Sequence, residues 1–354
     1  MAWLNVVFIT AVISTYNGGL CMQCLSQTGS PVDWFVIYKI PRIKNQTPTI
    51  QGGTAFYYMD NEDPSLDLSE AGIDDVNGNA VYYTLNQMYK NRTSIAYAMY
   101  NDHPPDERSN QHGHTKGIVA LDIAGGFWIV HSTPEFPPPW SQGYQWPKNG
   151  LINGQTFLCI SMTYRNMNEI GNVFMYTYPY IYDSSLPDAF VQDLPLLARI
   201  IRKKQHVTSE PWNKDIELTT KDNAVFHSYA KFTKFNRDLY DGFLSYELKD
   251  DLLVQSWIES TKKPENKLPS NCSIPFKVYN VKMIQFPGTD IKFQTAKDHS
   301  KWAVSKQNGN WLCIGDINRQ KPQFTRGGAQ VCFQHPQAWK SLRALVTDDS
   351  FEKC

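Results

Sequence analysis

The chain carries one three-residue element twice, His114-Thr115-Lys116 and His299-Ser300-Lys301, and the segments downstream of the two copies also match. HTKGIVALDIAGGFWIVHS (114–132) and HSKWAVSKQNGNWLCIGDIN (299–318) both leave His-x-Lys through apolar residues and cross a Gly-containing turn. They return through Phe127-Trp128-Ile129-Val130 or Trp311-Leu312-Cys313-Ile314. Each copy reads as a β-hairpin, with turns expected at Gly125-Gly126 and Asn308-Gly309. Residues two apart on a strand share a face, so the His and Lys of each copy are expected to point the same way. A polar group closes each return strand, His131 in one and Asp316 or Asn318 in the other. Two such hairpins related by a pseudo-twofold axis would bring two imidazoles and two ammonium groups into one cleft.

That set of groups suits phosphodiester chemistry. One imidazole can attack phosphorus, while the other, protonated, donates to the leaving oxygen and later activates water. The lysines would hold the non-bridging oxygens and stabilise the transition-state charge. No metal or cofactor is required. Taken singly, either motif is weak, because a lone His at a strand end is more often structural and a lone Lys more often a solvated charge; the repetition carries the inference. His112-x-His114 could begin a metal site, but no further His or acidic cluster stands at recognisable spacing.

With these residues in view, the chain resembles deoxyribonuclease II, the acid endonuclease family within the phospholipase D superfamily. The similarity covers nearly the whole mature chain. It rests on PVDWFVIYKIP (31–41), YND-PP (100–105), GHTKG (113–117), GGFWIVHS with FPPP (125–139), EPWN (210–213), AKF-KF (230–235), LPSNCS (268–273) and DHSKW (298–302). The resemblance implies a mixed α/β (α+β) fold of phospholipase D type, a pseudo-dimer of two β-sheet half-units flanked by helices with the active site at their interface. It implies metal-independent cleavage of DNA to 3′-phosphate products at acid pH, in lysosomes or after secretion. By the same resemblance one histidine is the nucleophile and the other the general acid; His114 is assigned the first role and His299 the second, with Lys116 and Lys301 on the phosphate. His131 and Asn318, with Asp316 beside the latter, are expected to orient the phosphate. Asp122 and Asp298 are candidates to fix an imidazole tautomer. The phospholipase D pattern also expects an acid at a fixed short distance after Lys; Asp122 is one position late and the second copy has Lys306 nearby, so that role is not carried over.

Residues 1–21 read as a secretory signal, with an apolar region, Trp3 to Ile13, too short to span a bilayer comfortably, although no Lys or Arg precedes it. The chain has 7 cysteines. Cleavage before Met22 would remove Cys21, and the remaining six allow about fifteen pairings. Among these the family resemblance implies Cys24 with Cys159, Cys272 with Cys354, and Cys313 with Cys332. Asn45, Asn91 and Asn271 open glycosylation sequons, usable on the secretory route.

The 354 residues, 42% hydrophobic, can bury a large core. The expected organisation is a half-unit over 22–175 with the first motif, a connection over 176–214, and a half-unit over 215–354 with the second. Strands are expected at Asp33–Lys39, Ala55–Met59, Ile95–Tyr100, Gln155–Tyr164, Ala224–Phe235, Leu252–Glu259 and Val278–Phe286. Helices are expected at Asn79–Lys90, Leu186–Lys204 and Gln334–Val346, and a polar loop at Pro64–Gly78. Trp140, Tyr144 and Trp146 could stack on bases, but packing of their Pro-rich loop explains them better.

Formal net charge is +0, an unusual balance for a protein that holds DNA through a basic surface. The 8 histidines offer a resolution, since in acid they would make the chain positive. DNA, read largely without regard to sequence, is the expected partner, and no membrane is. Two other classes stay open at this level: a secreted relative that binds nucleic acid without cutting it, against which the intact His-x-Lys pair argues, and a hydrolase of phosphodiester lipids.

Overall fold

The aromatic and β-branched run Trp34-Phe35-Val36-Ile37-Tyr38-Lys39 forms a strand buried on both faces, which explains why it reads as a continuous rather than an alternating apolar run. Trp34, Val36 and Tyr38 enter a core shared with Trp302, Val304, Leu312 and Ile314. Phe35 and Ile37 point the opposite way, toward Val81, Leu85 and Met88 of the helix Ala80–Lys90. Burying each such side chain contributes roughly 1.5–3 kcal/mol.

The computed structural model describes residues 21–354 apart from Glu107, Asn110, Thr261, Lys262 and Asn308. The expected signal segment therefore lies outside the described residues, except for Cys21. Strands β1 (Trp34–Lys39), β2 (Ala55–Asp60), β3 (Asp67–Gly72), β4 (Ala96–Asn101), β5 (Lys116–Asp122), β6 (Gly125–His131), β7 (Gln155–Met162) and β8 (Ile181–Ser185) form one sheet in the order β3-β2-β1-β7-β6-β5-β4-β8. A second sheet takes β9 (Asn213–Thr219), β10 (Val225–Lys231), β11 (Leu252–Gln255) and β12 (Val278–Asn280) from the chain. After the two-stranded ribbon β13 (Met283–Gln285) and β14 (Lys292–Gln294), it adds β15 (Trp302–Ser305), β16 (Trp311–Gly315) and β17 (Gly328–Gln334). Its order is β12-β11-β15-β16-β17-β10-β9.

The order β1-β7-β6-β5-β4 in the first sheet recurs as β10-β17-β16-β15-β11 in the second, with the same chain sequence and antiparallel pairing throughout. The two sheets bury their facing sides in one core, with the helix Glu169–Thr177 packed into it. The fold is mixed α/β.

The structure departs from expectation where local chemistry overrides pattern. The first hairpin turns at Ile123-Ala124, since Asp122 pairs with Gly125 and its carboxylate accepts from Ala124 N (2.8 Å) and Gly125 N (3.1 Å). Gly126 serves close approach instead: a Cβ there would stand 2.6 Å from that of Leu121. The second expected turn includes Asn308, which lies outside the described residues. The expected loop Pro64–Gly78 contains β3, an edge strand whose largely exposed residues leave no apolar alternation to read. The expected helix Leu186–Lys204 is divided into Asp188–Val191 and Pro195–Lys203, because Pro195 has no N–H to continue the ladder and starts a new first turn. The expected strand Val278–Phe286 breaks into β12 and β13, and Leu252–Glu259 ends at Gln255. Gln334 ends β17, and the last helix is Pro336–Arg343. β8, within the segment assigned to the connection, pairs with β4.

Disulfides join Cys24 to Cys159, Cys272 to Cys354, and Cys313 to Cys332, the last pair directly opposite on β16 and β17. Cys21 is unbridged. Among the described residues no helix is long and apolar enough to cross a membrane.

Arg319, only 1% exposed, gathers the loops of the second half. Its guanidinium donates to Asp238 (3.2 Å), Asp241 (2.8 Å), Asn280 Oδ1 (2.8 Å) and the Pro269 carbonyl (2.6 Å). Replacing it by Leu takes the cation away from two neighbouring carboxylates, of which Asp238 is buried, and removes the donor from the Asn280 and Pro269 oxygens. Arg319→Leu is expected to lower unfolding free energy by about 3–5 kcal/mol. A urea titration checks this, and a loss under about 1 kcal/mol would show that the acceptors find water or other partners.

Candidate functional site

The first His-x-Lys sits at the entry to β5 rather than inside it. Gly113 fixes that entry, since a Cβ there would lie 1.9 Å from the carbonyl of Thr177, at the end of the helix Glu169–Thr177. The backbone then crosses to the other half of the chain, where His114 N donates to Gly327 O (2.8 Å). The imidazole does the same through its hydrogen bond with the Asp316 carbonyl, with Nδ1 2.5 Å from the oxygen. A carbonyl only accepts, so Nδ1 carries the proton and Nε2 the lone pair. Lys116, buried at the start of β5, donates to Asp102 Oδ1. Arg326 Nη2 holds the other carboxylate oxygen at 3.2 Å and donates to the Gly113 carbonyl at 3.0 Å.

The second motif is fixed by a reciprocal crossing. His299 N donates to Gly154 O at 2.9 Å, and Gly154 N to Lys297 O at 2.9 Å. A Cβ on Gly154 would stand 2.4 Å from Asp298 Oδ1. Lys301 Nζ donates to the His299 carbonyl (2.6 Å). The His299 ring lies against Trp257, tilted by 32°, with centroids 3.3 Å apart. Trp257 has φ 49°, a left-handed conformation that costs a bulky residue strain and places its ring over the site.

His114, Lys116, His299 and Lys301 line one cleft of about 460 Å³, together with Asp102 and Trp257. Its charge is lopsided. Burial, then Lys116, pulls the His114 imidazole well below its usual range. Burial, Lys301, Lys116 and Lys39 push His299 down to about 2. Burial, then Lys116, lowers Lys301 to about 7, and burial raises Asp316 to about 7. Asp102 is held well below the carboxylate range: burial opposes its ionisation, but Lys116, His114 and Arg326 outweigh it. The cleft thus presents Arg108, Lys116 and Lys301 against the carboxylates of Asp102 and Glu135, and Asp102 is already committed to Lys116 and Arg326.

This cleft belongs to a chain with close relatives. A profile of the Deoxyribonuclease II family matches residues 23–354. The chain belongs to the deoxyribonuclease II family. It is 44% identical to deoxyribonuclease-2-alpha of Mus musculus over 98% of both chains. It is 39% identical to plancitoxin-1 of Acanthaster planci, over 99% of this chain and 97% of that one. It is 33% identical to deoxyribonuclease-2 of Caenorhabditis elegans, over 98% and 97% respectively. As a member of this family the chain is a deoxyribonuclease, a hydrolase with DNA as substrate.

The other sequence candidates are not among the residues that line the cleft. His131 is fully buried, stacked on Phe157, with Nδ1 accepting from Thr133 N at 3.2 Å and no partner for Nε2 among the described residues. Neither His131 nor the buried Asn318 lines the cleft. Asp316 reaches the site through its main-chain carbonyl, while its carboxylate accepts from Ala329 N (3.1 Å). Asp122 is taken up by the β5–β6 turn, and Asp298 by the Tyr38 hydroxyl and by Ser300 N (3.0 Å) and Oγ (2.8 Å), so neither hydrogen-bonds an imidazole. Asn45 is exposed; the side-chain nitrogens of Asn91 and Asn271 donate to Gln87 O (2.8 Å) and Asp241 (3.0 Å). Trp140 and Tyr144 are partly buried and donate to Met88 O (3.2 Å) and Ile73 O (2.5 Å), in keeping with loop packing.

Sequence reasoning missed Asp102, Arg326 and Trp257. Asp102 was visible only as part of the YND-PP motif, and the other two carried no signal. Asp102→Asn is expected to weaken the hold on both Lys116 and Arg326. DNA cleavage should fall roughly 10- to 100-fold through misplacement of Lys116, with a stability loss of about 1–3 kcal/mol. Nicking rates and denaturant melts check this, and full activity would remove Asp102 from the site.

Proposed function

We propose that the chain is an acid endodeoxyribonuclease that cuts DNA to 3′-phosphate ends through a phosphohistidine, without a metal. The segments 22–175 and 215–354, joined through 176–214, then act as the half-units of a phospholipase D-like pseudo-dimer, with β8 and the first residues of β9 supplied by the connection. What carries this reading is the reciprocal crossing: His114 is anchored on the second half, His299 on the first, and both meet in one cleft with two lysines.

His114, with its proton on Nδ1 against the Asp316 carbonyl, keeps Nε2 free to attack. A nitrogen–phosphorus bond forms as the bond to the 5′-oxygen breaks, and His299 supplies the proton that oxygen takes. Water, deprotonated by His299, then cleaves the phosphohistidine and leaves the phosphate on the 3′ end. Lys116 and Lys301 hold the non-bridging oxygens, so the positive charge the transition state needs is already in place.

The acid requirement comes from the same charges. The acid form of His299 is opposed by burial and by Lys301 and Lys116. A bound phosphodiester offsets the lysines and raises the imidazole pKa, but from a low starting point, so protonation is reached only in acid. Six of the eight histidines, at 103, 112, 114, 131, 299 and 335, are pulled down from their ordinary range, so histidines are not the simple source of positive charge that composition suggests. As pH falls through about 7, Lys301 gains a proton and Asp316 loses its charge, and both changes make the cleft more positive. Three disulfides suit the secretory route, to a lysosome or the exterior, with glycans at the sequons.

DNA affinity is expected to fall at least about tenfold between pH 5 and pH 8 at fixed salt, since each such charge contributes on the order of 1 kcal/mol. Fluorescence anisotropy with a labelled duplex and a non-cleaving His114→Ala variant reads this, and equal affinity at the two values refutes it. Supercoiled-plasmid nicking in excess chelator should be acid-favoured and lost in both His114→Ala and His299→Ala. Abolition by chelator would overturn the phosphohistidine route.

A further inference from the structure

We infer that Lys39 and Lys231 are a matched pair of positioning residues, each holding, through a glycine carbonyl, the catalytic histidine supplied by the opposite half of the chain. The assignment of catalytic histidines rests on the proposed phosphohistidine function; the holding geometry does not.

Lys39 ends β1 and Lys231 ends β10, equivalent strands in the repeated five-strand order. Both are nearly inaccessible, at 0% and 1% exposure. Among the described residues no carboxylate pairs directly with either ammonium; each spends its protons on main-chain carbonyls. Lys39 Nζ donates to Gly150 O (2.6 Å) and Asn153 O (2.8 Å). Lys231 Nζ donates to Gln323 O (2.8 Å), Phe324 O (3.0 Å) and Arg326 O (2.6 Å). The residue after Asn153 is Gly154, whose carbonyl takes the His299 N–H; the residue after Arg326 is Gly327, whose carbonyl takes the His114 N–H. Both glycines lie where a Cβ would collide, with Asp298 Oδ1 at 2.4 Å and with Thr177 O at 2.3 Å. The same relay, lysine to carbonyl to glycine to histidine, therefore occurs twice and crosses between halves twice.

A buried ammonium with only carbonyl partners is a costly way to hold a loop. Its use at both equivalent positions is what a simple packing role does not explain. The cost shows in the proton affinity of both groups: burial lowers each to about 7, with Asp298 acting upward and Arg42 downward on Lys39, and Asp238 upward and Arg326 downward on Lys231. Both lysines are thus charged, and both loops held, over the acid range in which the enzyme is proposed to work.

The test separates the two relays by the histidine each serves. Thymidine 3′-(4-nitrophenyl phosphate) carries a leaving group that departs as nitrophenolate and needs no proton, so its release in the first turnover depends on the nucleophile and not on the general acid. Lys39→Met should cut plasmid nicking by roughly 10- to 100-fold yet leave the nitrophenolate burst near wild type, as His299→Ala does. Lys231→Met should lower both, as His114→Ala does. Equal loss of both readouts in the two lysine variants, or the reverse pattern, overturns the proposal. If His299→Ala itself loses the burst, the assignment of acid and nucleophile is wrong; the pairing is then decided by whether each lysine variant follows the histidine of its own relay, Lys39→Met the His299→Ala pattern and Lys231→Met the His114→Ala pattern, and the crossed match overturns it. Lys39→Gln and Lys231→Gln, shorter neutral donors, replace the Met variants where thermal melts show that those do not fold.

Discussion

Two main-chain hydrogen bonds, His114 N to Gly327 O and His299 N to Gly154 O, set the geometry on which the two-histidine cleft depends. Each fastens a His-x-Lys borne on one sheet to a turn that opens a strand of the other. A histidine at the end of a strand would otherwise have the freedom of a loop residue, and catalytic groups must be held to a fraction of an ångström. Reciprocal anchoring supplies that hold. It also explains why the glycines recur at 113, 154 and 327: in each case a second backbone or a buried carboxylate occupies the space where a side chain would begin.

The second constraint is electrostatic. Lys39, Lys116, Lys301 and Arg326 converge on a site whose directly paired carboxylate is Asp102. Burial, with these cations beside it, favours neutral imidazoles at His114 and His299 and lowers the proton affinity of Lys301. The strain is relieved by an anion, which is what a DNA phosphate brings. The zero net charge of the whole chain is therefore a poor guide to the field inside the cleft, because the relevant cations are few, buried and close together.

Much of the architecture was legible because the strands that carry it are apolar on both faces: β1, β5, β6 and β7 announce themselves by composition, and the His-x-Lys repeat marks the equivalent strands. The edge strands β3, β8 and β9 are not legible, since exposure on at least one face leaves them polar and without alternation. The four cleft residues were found because the motif repeats. Asp102, Arg326 and Trp257 were not, because each acts from a loop whose partner is far away in sequence: Arg326 reaches Asp102 across 224 positions. Asp122 and Asp298 show the opposite error. An acid near a motif in sequence invites a catalytic role, yet one closes a turn and the other is consumed by Tyr38 and Ser300.

The two copies of the motif are alike in frame and unlike in detail, and the difference is chemical. His114 has a hydrogen-bond acceptor on Nδ1, which fixes its tautomer and leaves the lone pair on Nε2, as the proposed nucleophile requires. The His299 ring lies against Trp257 instead, a contact that fixes its plane without dictating which nitrogen carries a proton. A nucleophile has to present the same lone pair at every turnover; a group that gives a proton and then takes one from water has to change state within each. A repeated fold supplies two equivalent histidines, and under the proposed mechanism it is their unlike partners, a carbonyl for one and an indole for the other, that divide the labour between them.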